Sequence, residues 1–172
     1  IHDKLALLKE EYLLSDLGAL IDHVASHELV QGEKIGVIGY CMGGRVAYVT
    51  ASCFPDKIKC AAVYYGSRIP VSTPQFPTAP IERTKNIKGT VLGFFGGLDK
   101  SIPLEDVQAI ERALQEAGVD HHIYYYPDAD HGFFNDTREV FHLRAAMDAW
   151  HKTLVTFEKC LGPVPPVNNP SS

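Results

Sequence analysis

Three residues that could share acyl-transfer chemistry occur in the order cysteine, aspartate, histidine along this chain of 172 residues. Cys41 stands in the stretch GYCMGG at positions 39–44, after an apolar run and before an apolar helical pattern. Glycines two residues before and two residues after a nucleophile are typical of a tight strand-to-helix turn, because Gly39 and Gly43 carry no bulk there. The following helix would favour a thiolate and aim the Met42 amide at a developing oxyanion. Alone, the pattern also fits a glycine-rich turn with a buried cysteine.

Two further residues favour the catalytic interpretation. Asp99 closes the stretch GGLD after a third apolar run, and His131 follows a fourth apolar run in the stretch DADHGF. The order nucleophile, acid, histidine belongs to one class of triad hydrolases and differs from the orders in other Ser-His-Asp folds. All three residues follow predicted strands, and open α/β sheets build their sites at those strand ends. The sequence therefore predicts a triad of Cys41, Asp99 and His131.

The elements that must position these residues are short apolar runs alternating with helical patterns, which predicts an α/β fold with right-handed crossovers. The predicted strands are Lys34–Gly39, Lys59–Gly66, Gly89–Phe95 and His122–Tyr126. The first three lack polar alternation and are expected to be buried on both faces of a parallel sheet, with the tyrosine-rich fourth nearer an edge. The predicted helices are 3–27 (or a fresh start at Ser15), Met42–Cys53, Pro103–Ala117 and Glu139–Leu161. The Met147–Trp150–Leu154 stripe is expected to be core packing.

Two segments do not follow this alternation. Residues 67–88 are rich in proline and have little helical period, so we expect a functional loop that forms a pocket wall or a lid. Residues 162–172 are proline-rich without apolar period, and we expect a disordered tail. The rest, residues 1–161, has the length of one ordinary domain.

Composition excludes several functions. Sixteen basic against 21 acidic residues give a net charge of −5, which offers no electrostatic footprint for nucleic acid or an anionic membrane. No apolar run is long enough to span a bilayer. Four cysteines are too sparse for a disulfide scaffold, so we expect a soluble protein in the reducing cytoplasm. The helical pair His23 and His27 lacks further ligands at metal-site spacing, and no metal site is predicted.

The motifs around the predicted triad resemble those of the dienelactone hydrolase (carboxymethylenebutenolidase) family of the α/β-hydrolase fold. The matching stretches are VIGYCMGG (37–44), VYYG (63–66), FFGGLDKSIP (94–103) and YPDADHGF (126–133). The resemblance implies a mostly parallel sheet flanked by helices. It also implies hydrolysis of a small-molecule lactone or carboxylic ester through an acyl-cysteine intermediate, without a cofactor.

The resemblance also assigns roles to residues. It implies that Cys41 is the nucleophile, that His131 is first base and then acid, and that Asp99 orients His131. The Met42 amide is then an oxyanion donor, and Tyr64 or Tyr65 is expected to line the pocket.

This sequence departs from the family pattern in the residues expected to bind substrate. Where family members of the namesake activity carry a carboxylate-binding arginine, four residues past the histidine, this chain has Asn135, with Arg138 about one helical turn away. We therefore expect at most about a tenfold preference for carboxylate-bearing substrates. A general carboxylesterase or thioesterase on the same triad is the alternative enzyme, and a non-catalytic hydrolase-like remnant that binds a ligand or partner is the alternative of another class.

A second departure concerns the start of the chain. The family has several strands before the nucleophile strand, and we expect these N-terminal strands, with the second oxyanion donor, to be missing from a fragment or truncated product. The edge of residues Ile35–Ile38 would then be unpaired, which predicts self-association through an exposed strand edge.

Overall fold

The computed structural model describes residues 8–28, 30 and 34–163, in which strands and helices alternate. The helices are α1 (Glu10–Ser26), α2 (Met42–Cys53), α3 (Leu104–Glu116) and α4 (Leu143–Leu161), and the strands are β1 (Ile35–Tyr40), β2 (Ile58–Tyr64), β3 (Thr90–Gly96) and β4 (His121–Tyr126). A 3-10 helix, Pro80–Asn86, lies between β2 and β3. The predicted alternation is therefore confirmed.

The four strands form one parallel sheet in the order β1-β2-β3-β4. Because parallel crossovers are right-handed, strands added in sequence order put α2 and α3 on one face. Helix α4 packs across β1, β2 and β3 on the other face, where the Tyr64 hydroxyl hydrogen-bonds to Thr153 at 2.7 Å. With all strands parallel, the residues that follow β1, β3 and β4 emerge at the same edge of the sheet.

Burial differs between the inner and outer strands. Strands β2 and β3 are buried almost throughout, and β4 is partly exposed, as predicted for an edge strand. The prediction that the first strand is buried on both faces is wrong, because β1 is half-buried along most of its length. Within the described residues β1 pairs only with β2, which leaves its other side unpaired there. Self-association through this edge stays a prediction, which the mass in solution checks.

Helix α4 presents Met147, Trp150 and Leu154 outward, so the prediction that this stripe packs in the core is wrong. Met147 is 62% exposed and Leu154 is 49% exposed. The face of α4 against the sheet carries small residues instead: Ala145, Ala146, Ala149 and Thr153. Small side chains let a helix approach a sheet closely, and the spacing of a stripe does not tell which face is buried.

Element boundaries differ from the predicted ones at two helices. Helix α1 is continuous through Ser15, and residues 3–7 of the predicted helix lie outside the described residues. Helix α4 begins at Leu143 rather than Glu139, because the His142 side chain caps it by accepting a hydrogen bond from the Ala145 amide at 3.2 Å. The predicted disordered tail lies outside the described residues from position 164 onward.

The proline-rich segment 67–88 is packed against α2. Ile69 and Phe76 are fully buried, and the 3-10 helix is joined to α2 by a hydrogen bond between Tyr48 and Thr84. None of the helices in the described ranges combines the length and apolarity needed to cross a bilayer.

Candidate active site

Cys41 lies on the turn between β1 and α2, in a backbone conformation that non-glycine residues rarely adopt. Its φ is 56° and its ψ is −120°. The turn is held from both sides: the Cys41 amide donates to the Tyr64 carbonyl at 3.0 Å, and the Cys41 carbonyl accepts from the Gly44 amide at 3.0 Å. Strained backbone of this kind persists only where its surroundings fix it, and here it leaves the Cys41 side chain exposed.

The steric constraint on the turn falls on Gly39 and Gly44, and not on Gly39 and Gly43 as the sequence predicts. A Cβ on Gly39 would lie 1.9 Å from the Gly43 carbonyl oxygen, so this position admits glycine alone. A Cβ on Gly43 would meet no atom of the described residues within 4 Å, and the prediction that Gly43 must lack bulk is wrong. Gly44 carries the second constraint, because its Cβ would lie 2.7 Å from the Tyr64 carbonyl oxygen. Gly43 contributes the backbone that Gly39 touches.

The structure brings Cys41, His131 and Asp99 into one chain of contacts. His131 Nε2 lies 3.0 Å from Cys41 Sγ, and His131 Nδ1 lies 2.7 Å from Asp99 Oδ2. The loops that carry the acid and the histidine are tied by the Leu98 amide, which donates to the Ala129 carbonyl at 2.9 Å. These distances are within reach for proton transfer between sulfur and imidazole.

Ser101 completes this arrangement and was not singled out from the sequence. Its amide and hydroxyl both donate to Asp99 Oδ1, at 2.8 and 2.6 Å, and its hydroxyl oxygen lies 3.2 Å from His131 Nδ1. One oxygen of Asp99 is thereby held by Ser101 and the other is left for His131. The sequence carries a signal for this contact, because an aspartate side chain commonly accepts a hydrogen bond from the backbone amide two residues later.

The pKa values of His131 and Asp99 are shifted in opposite directions, upward for the histidine and downward for the acid. The hydrogen bond to Asp99 raises the pKa of His131 to about 9, against the opposing effect of burial and with a further contribution from Cys41. Burial raises the pKa of Asp99, but its hydrogen bonds from His131 and Ser101 more than offset this and hold the pKa below its ordinary value. The pair therefore favours an ionised Asp99 beside a protonated His131 at neutral pH.

The two tyrosines proposed for the pocket occupy different places. Tyr64 is fully buried with its hydroxyl bonded to Thr153, so it is part of the core. The Tyr65 ring centroid lies 5.2 Å from that of His131, which puts Tyr65 beside the triad. Burial raises the pKa of Tyr65 to about 12, so its hydroxyl stays protonated at neutral pH.

Asn135 and Arg138, the polar residues after His131, also lie in different surroundings. Asn135 is exposed, and its side-chain oxygen accepts hydrogen bonds from Thr137 at 2.7 and 3.1 Å. Arg138 is exposed too, but its Nη1 lies 3.8 Å from the place a Cβ would take on Gly132, the neighbour of His131. The cation near the triad in this loop is thus Arg138, while the side-chain oxygen of Asn135 is held in a local turn.

Met42 is the first residue of α2, where a helix amide has no acceptor within its own helix. In the part of the chain that the structure describes, no group of three or more His, Cys, Asp or Glu side chains is arranged so that it could hold a metal ion. The remaining unusual residue is Arg45, which is buried one turn after Cys41 and was not singled out from the sequence.

Comparisons with known proteins agree with the motifs and the fold. The sequence pattern of the dienelactone hydrolase family matches residues 1–161. A candidate carboxymethylenebutenolidase from Synechocystis sp. is 42% identical over 146 residues, which cover 85% of this chain and 58% of that protein. The chain belongs to the dienelactone hydrolase family.

Further relatives support the same assignment. A carboxymethylenebutenolidase from Rhodococcus opacus is 31% identical over 150 residues, covering 82% of this chain and 56% of that protein. The solved structure of a candidate dienelactone hydrolase from Klebsiella pneumoniae superposes with a TM-score of 0.76 at 32% identity, covering 83% of this chain and 60% of that one. The chain thus has the α/β-hydrolase fold of the family and spans a little over half the length of these relatives.

The steric argument for the nucleophile turn gives a first prediction. Gly39→Ala should destabilise the fold by at least about 2 kcal/mol, because the added Cβ collides with backbone rather than with a movable side chain. Gly43→Ala is the matched control and should change the free energy of unfolding by less than about 1 kcal/mol. Urea denaturation measures both; equal losses would contradict the placement of the constraint at Gly39.

A second prediction concerns the titration of His131. Its folded pKa of about 9 lies above the ordinary 6.5, so the protonated ring should be lost only as the pH rises through about 9. Asp99→Asn removes the main cause of the shift and should move the midpoint back toward 6.5. The ring proton resonances of His131 followed by NMR measure this midpoint.

Asp128→Asn is the control, since Asp128 contacts His142 and not His131. It should leave the His131 midpoint in place. A wild-type midpoint near the ordinary value, or one unmoved by Asp99→Asn, would contradict the assigned pairing.

Proposed function

We propose that this protein hydrolyses a small lactone or carboxylic ester through an acyl-cysteine intermediate, with Cys41, His131 and Asp99 as its triad. The observation that carries the proposal is the continuous contact from Asp99 Oδ2 through the His131 ring to Cys41 Sγ, at 2.7 and 3.0 Å. Cys41 itself lies on an exposed, strained turn at a helix N-terminus, where a nucleophile is accessible to substrate. Family membership supports the same chemistry.

In the first half of the reaction, the thiolate of Cys41 attacks the carbonyl carbon of the ester. Its proton resides on His131, whose raised pKa of about 9 suits it to hold a proton at neutral pH. The oxyanion of the tetrahedral intermediate accepts a hydrogen bond from the Met42 amide at the start of α2. When the intermediate collapses, the carbon–oxygen bond breaks and His131 Nε2–H protonates the leaving alkoxide, which leaves a thioester on Cys41.

In the second half, His131 is neutral and acts as a base. It takes a proton from water, the hydroxide attacks the thioester carbonyl, and the carbon–sulfur bond breaks. The products are the carboxylic acid and the regenerated thiolate paired with protonated His131. Asp99 stays ionised throughout and orients the ring through Nδ1, which keeps Nε2 directed at sulfur and water.

Arg138 is the residue we propose for recognition of a substrate carboxylate. It lies on the His131 loop and carries a positive charge, whereas Asn135 is uncharged and its side-chain oxygen accepts from Thr137. An exposed guanidinium is screened by solvent and salt, so its contribution to selectivity is modest.

We also propose one domain over residues 1–161, because the family match ends at the residue where α4 ends. A reducing, cytoplasmic setting belongs to the same proposal, since all four cysteines are free.

The triad is tested by hydrolysis of p-nitrophenyl acetate. Cys41→Ala should abolish turnover, and His131→Ala and Asp99→Asn should each lower kcat by at least about a hundredfold. The double variant of His131→Ala and Asp99→Asn should be little worse than either single variant, because the residues act as one unit.

Cys53→Ala, a half-buried thiol away from the triad, is the matched control and should keep wild-type turnover. Multiplicative losses at His131 and Asp99, or turnover that survives Cys41→Ala, would argue against the proposed mechanism.

Selectivity is tested with two esters of similar size, one ending in a carboxylate and one neutral. The wild type should prefer the carboxylate ester in kcat/KM by up to about tenfold, or about 1.4 kcal/mol. Arg138→Met should remove this preference, and Arg112→Met, an exposed arginine on α3, should not. A preference of several orders of magnitude, or one unchanged in Arg138→Met, would sink the assignment.

A further inference from the structure

Arg45 is a buried cation directly behind the nucleophile turn. It lies one helical turn after Cys41 in α2, its exposed fraction is 8%, and its amide donates to the Cys41 carbonyl at 3.3 Å. Its guanidinium carbon lies 4.5 Å from the centre of the Phe76 ring. Its Nε and Nη1 atoms are buried and have no hydrogen-bond partner among the described residues.

The burial of the Arg45 guanidinium costs folding free energy. Burial of an unpaired charge is strongly unfavourable, and the attraction between a cation and an aromatic ring offsets only part of that cost. Unsatisfied buried polar groups are few in folded proteins, and each calls for a physical reason. A negative charge close by is one such reason.

Cys41 is the negative group among the charges that act on Arg45. Burial lowers the pKa of Arg45, Arg68 lowers it further as a like charge, and the negative charge of Cys41 raises it. Side chains on a helix lean toward its N-terminus, so the stem of Arg45 leans back toward the turn that carries Cys41.

We propose that Arg45 is a positioning residue whose fixed, buried positive charge stabilises the thiolate of Cys41 from beneath the turn. We place it behind the turn rather than against the substrate, because its Nε and Nη1 atoms are buried. Arg45 thus adds to the effect of His131, whose Nε2 lies 3.0 Å from the sulfur. A guanidinium suits this role because it stays charged when buried, where a lysine would lose its proton more readily. This inference deepens the proposed function.

The test is the rate at which iodoacetamide alkylates Cys41, followed by mapping of the labelled peptide. Iodoacetamide is uncharged, so Arg45 does not attract the reagent itself. Arg45→Met removes the charge and keeps an apolar stem, and Arg45→Gln is a second neutral variant in case the first does not fold. Arg68→Met is the control, because Arg68 is an exposed cation of the neighbouring loop. Circular dichroism and the thermal midpoint report folding.

If Arg45 stabilises the thiolate, neutralising it should slow alkylation at about pH 6 by at least about fivefold. At high pH, where the sulfur is ionised in every variant, the rate should stay within about twofold of wild type. The difference should persist in a His131→Asn background, and Arg68→Met should not slow the reaction at about pH 6.

An unchanged profile in a folded Arg45 variant would overturn the inference, and so would an equal loss at every pH, which would indicate a structural role only. Ester turnover is not the readout, so a chain without hydrolase activity would count against the proposed function and leave this test intact.

Discussion

The hydrogen bond between Asp99 and His131 is the interaction on which the rest of the site depends. Asp99 is buried, and a buried carboxylate is tolerated only when its oxygens are bonded. His131 satisfies one oxygen and Ser101 the other, which fixes the imidazole with Nε2 toward Cys41. The parallel sheet supplies the framework, because the strands before these residues all end at the same edge.

Strain and charge are concentrated at the nucleophile. The positive φ of Cys41 is held by a backbone bond to Tyr64 and by the close contact of Gly39 with Gly43. The same turn begins α2, so the sulfur lies at a helix N-terminus with His131 Nε2 at 3.0 Å, and we propose that the guanidinium of Arg45 adds to this positive character. A neutral thiol would gain little from this arrangement, whereas a thiolate gains from each part of it.

The sequence allowed the fold and the triad to be predicted because their signals are local. Apolar runs, glycines and the order of Cys41, Asp99 and His131 are all read directly along the chain. The outward stripe of α4 was assigned to the wrong face, because small residues such as Ala145 and Ala149 also fit a buried face. Ser101 is missed although its spacing from Asp99 is a local signal, and Arg45 is missed because its contact with Phe76 joins segments that are distant in sequence. Gly43 was misjudged because steric need depends on the path of the turn.

The central claim is that ester hydrolysis passes through a thioester on Cys41. Rapid mixing with p-nitrophenyl acetate, acid quenching, tryptic digestion and mass spectrometry test it directly, since Cys41 is the only cysteine between Lys34 and Arg45. The account predicts one acetyl group on Cys41 during turnover and none after Cys41→Ala, with Cys53, Cys60 and Cys160 unmodified. Turnover without an acetyl group on Cys41, or with one on another residue, would contradict it.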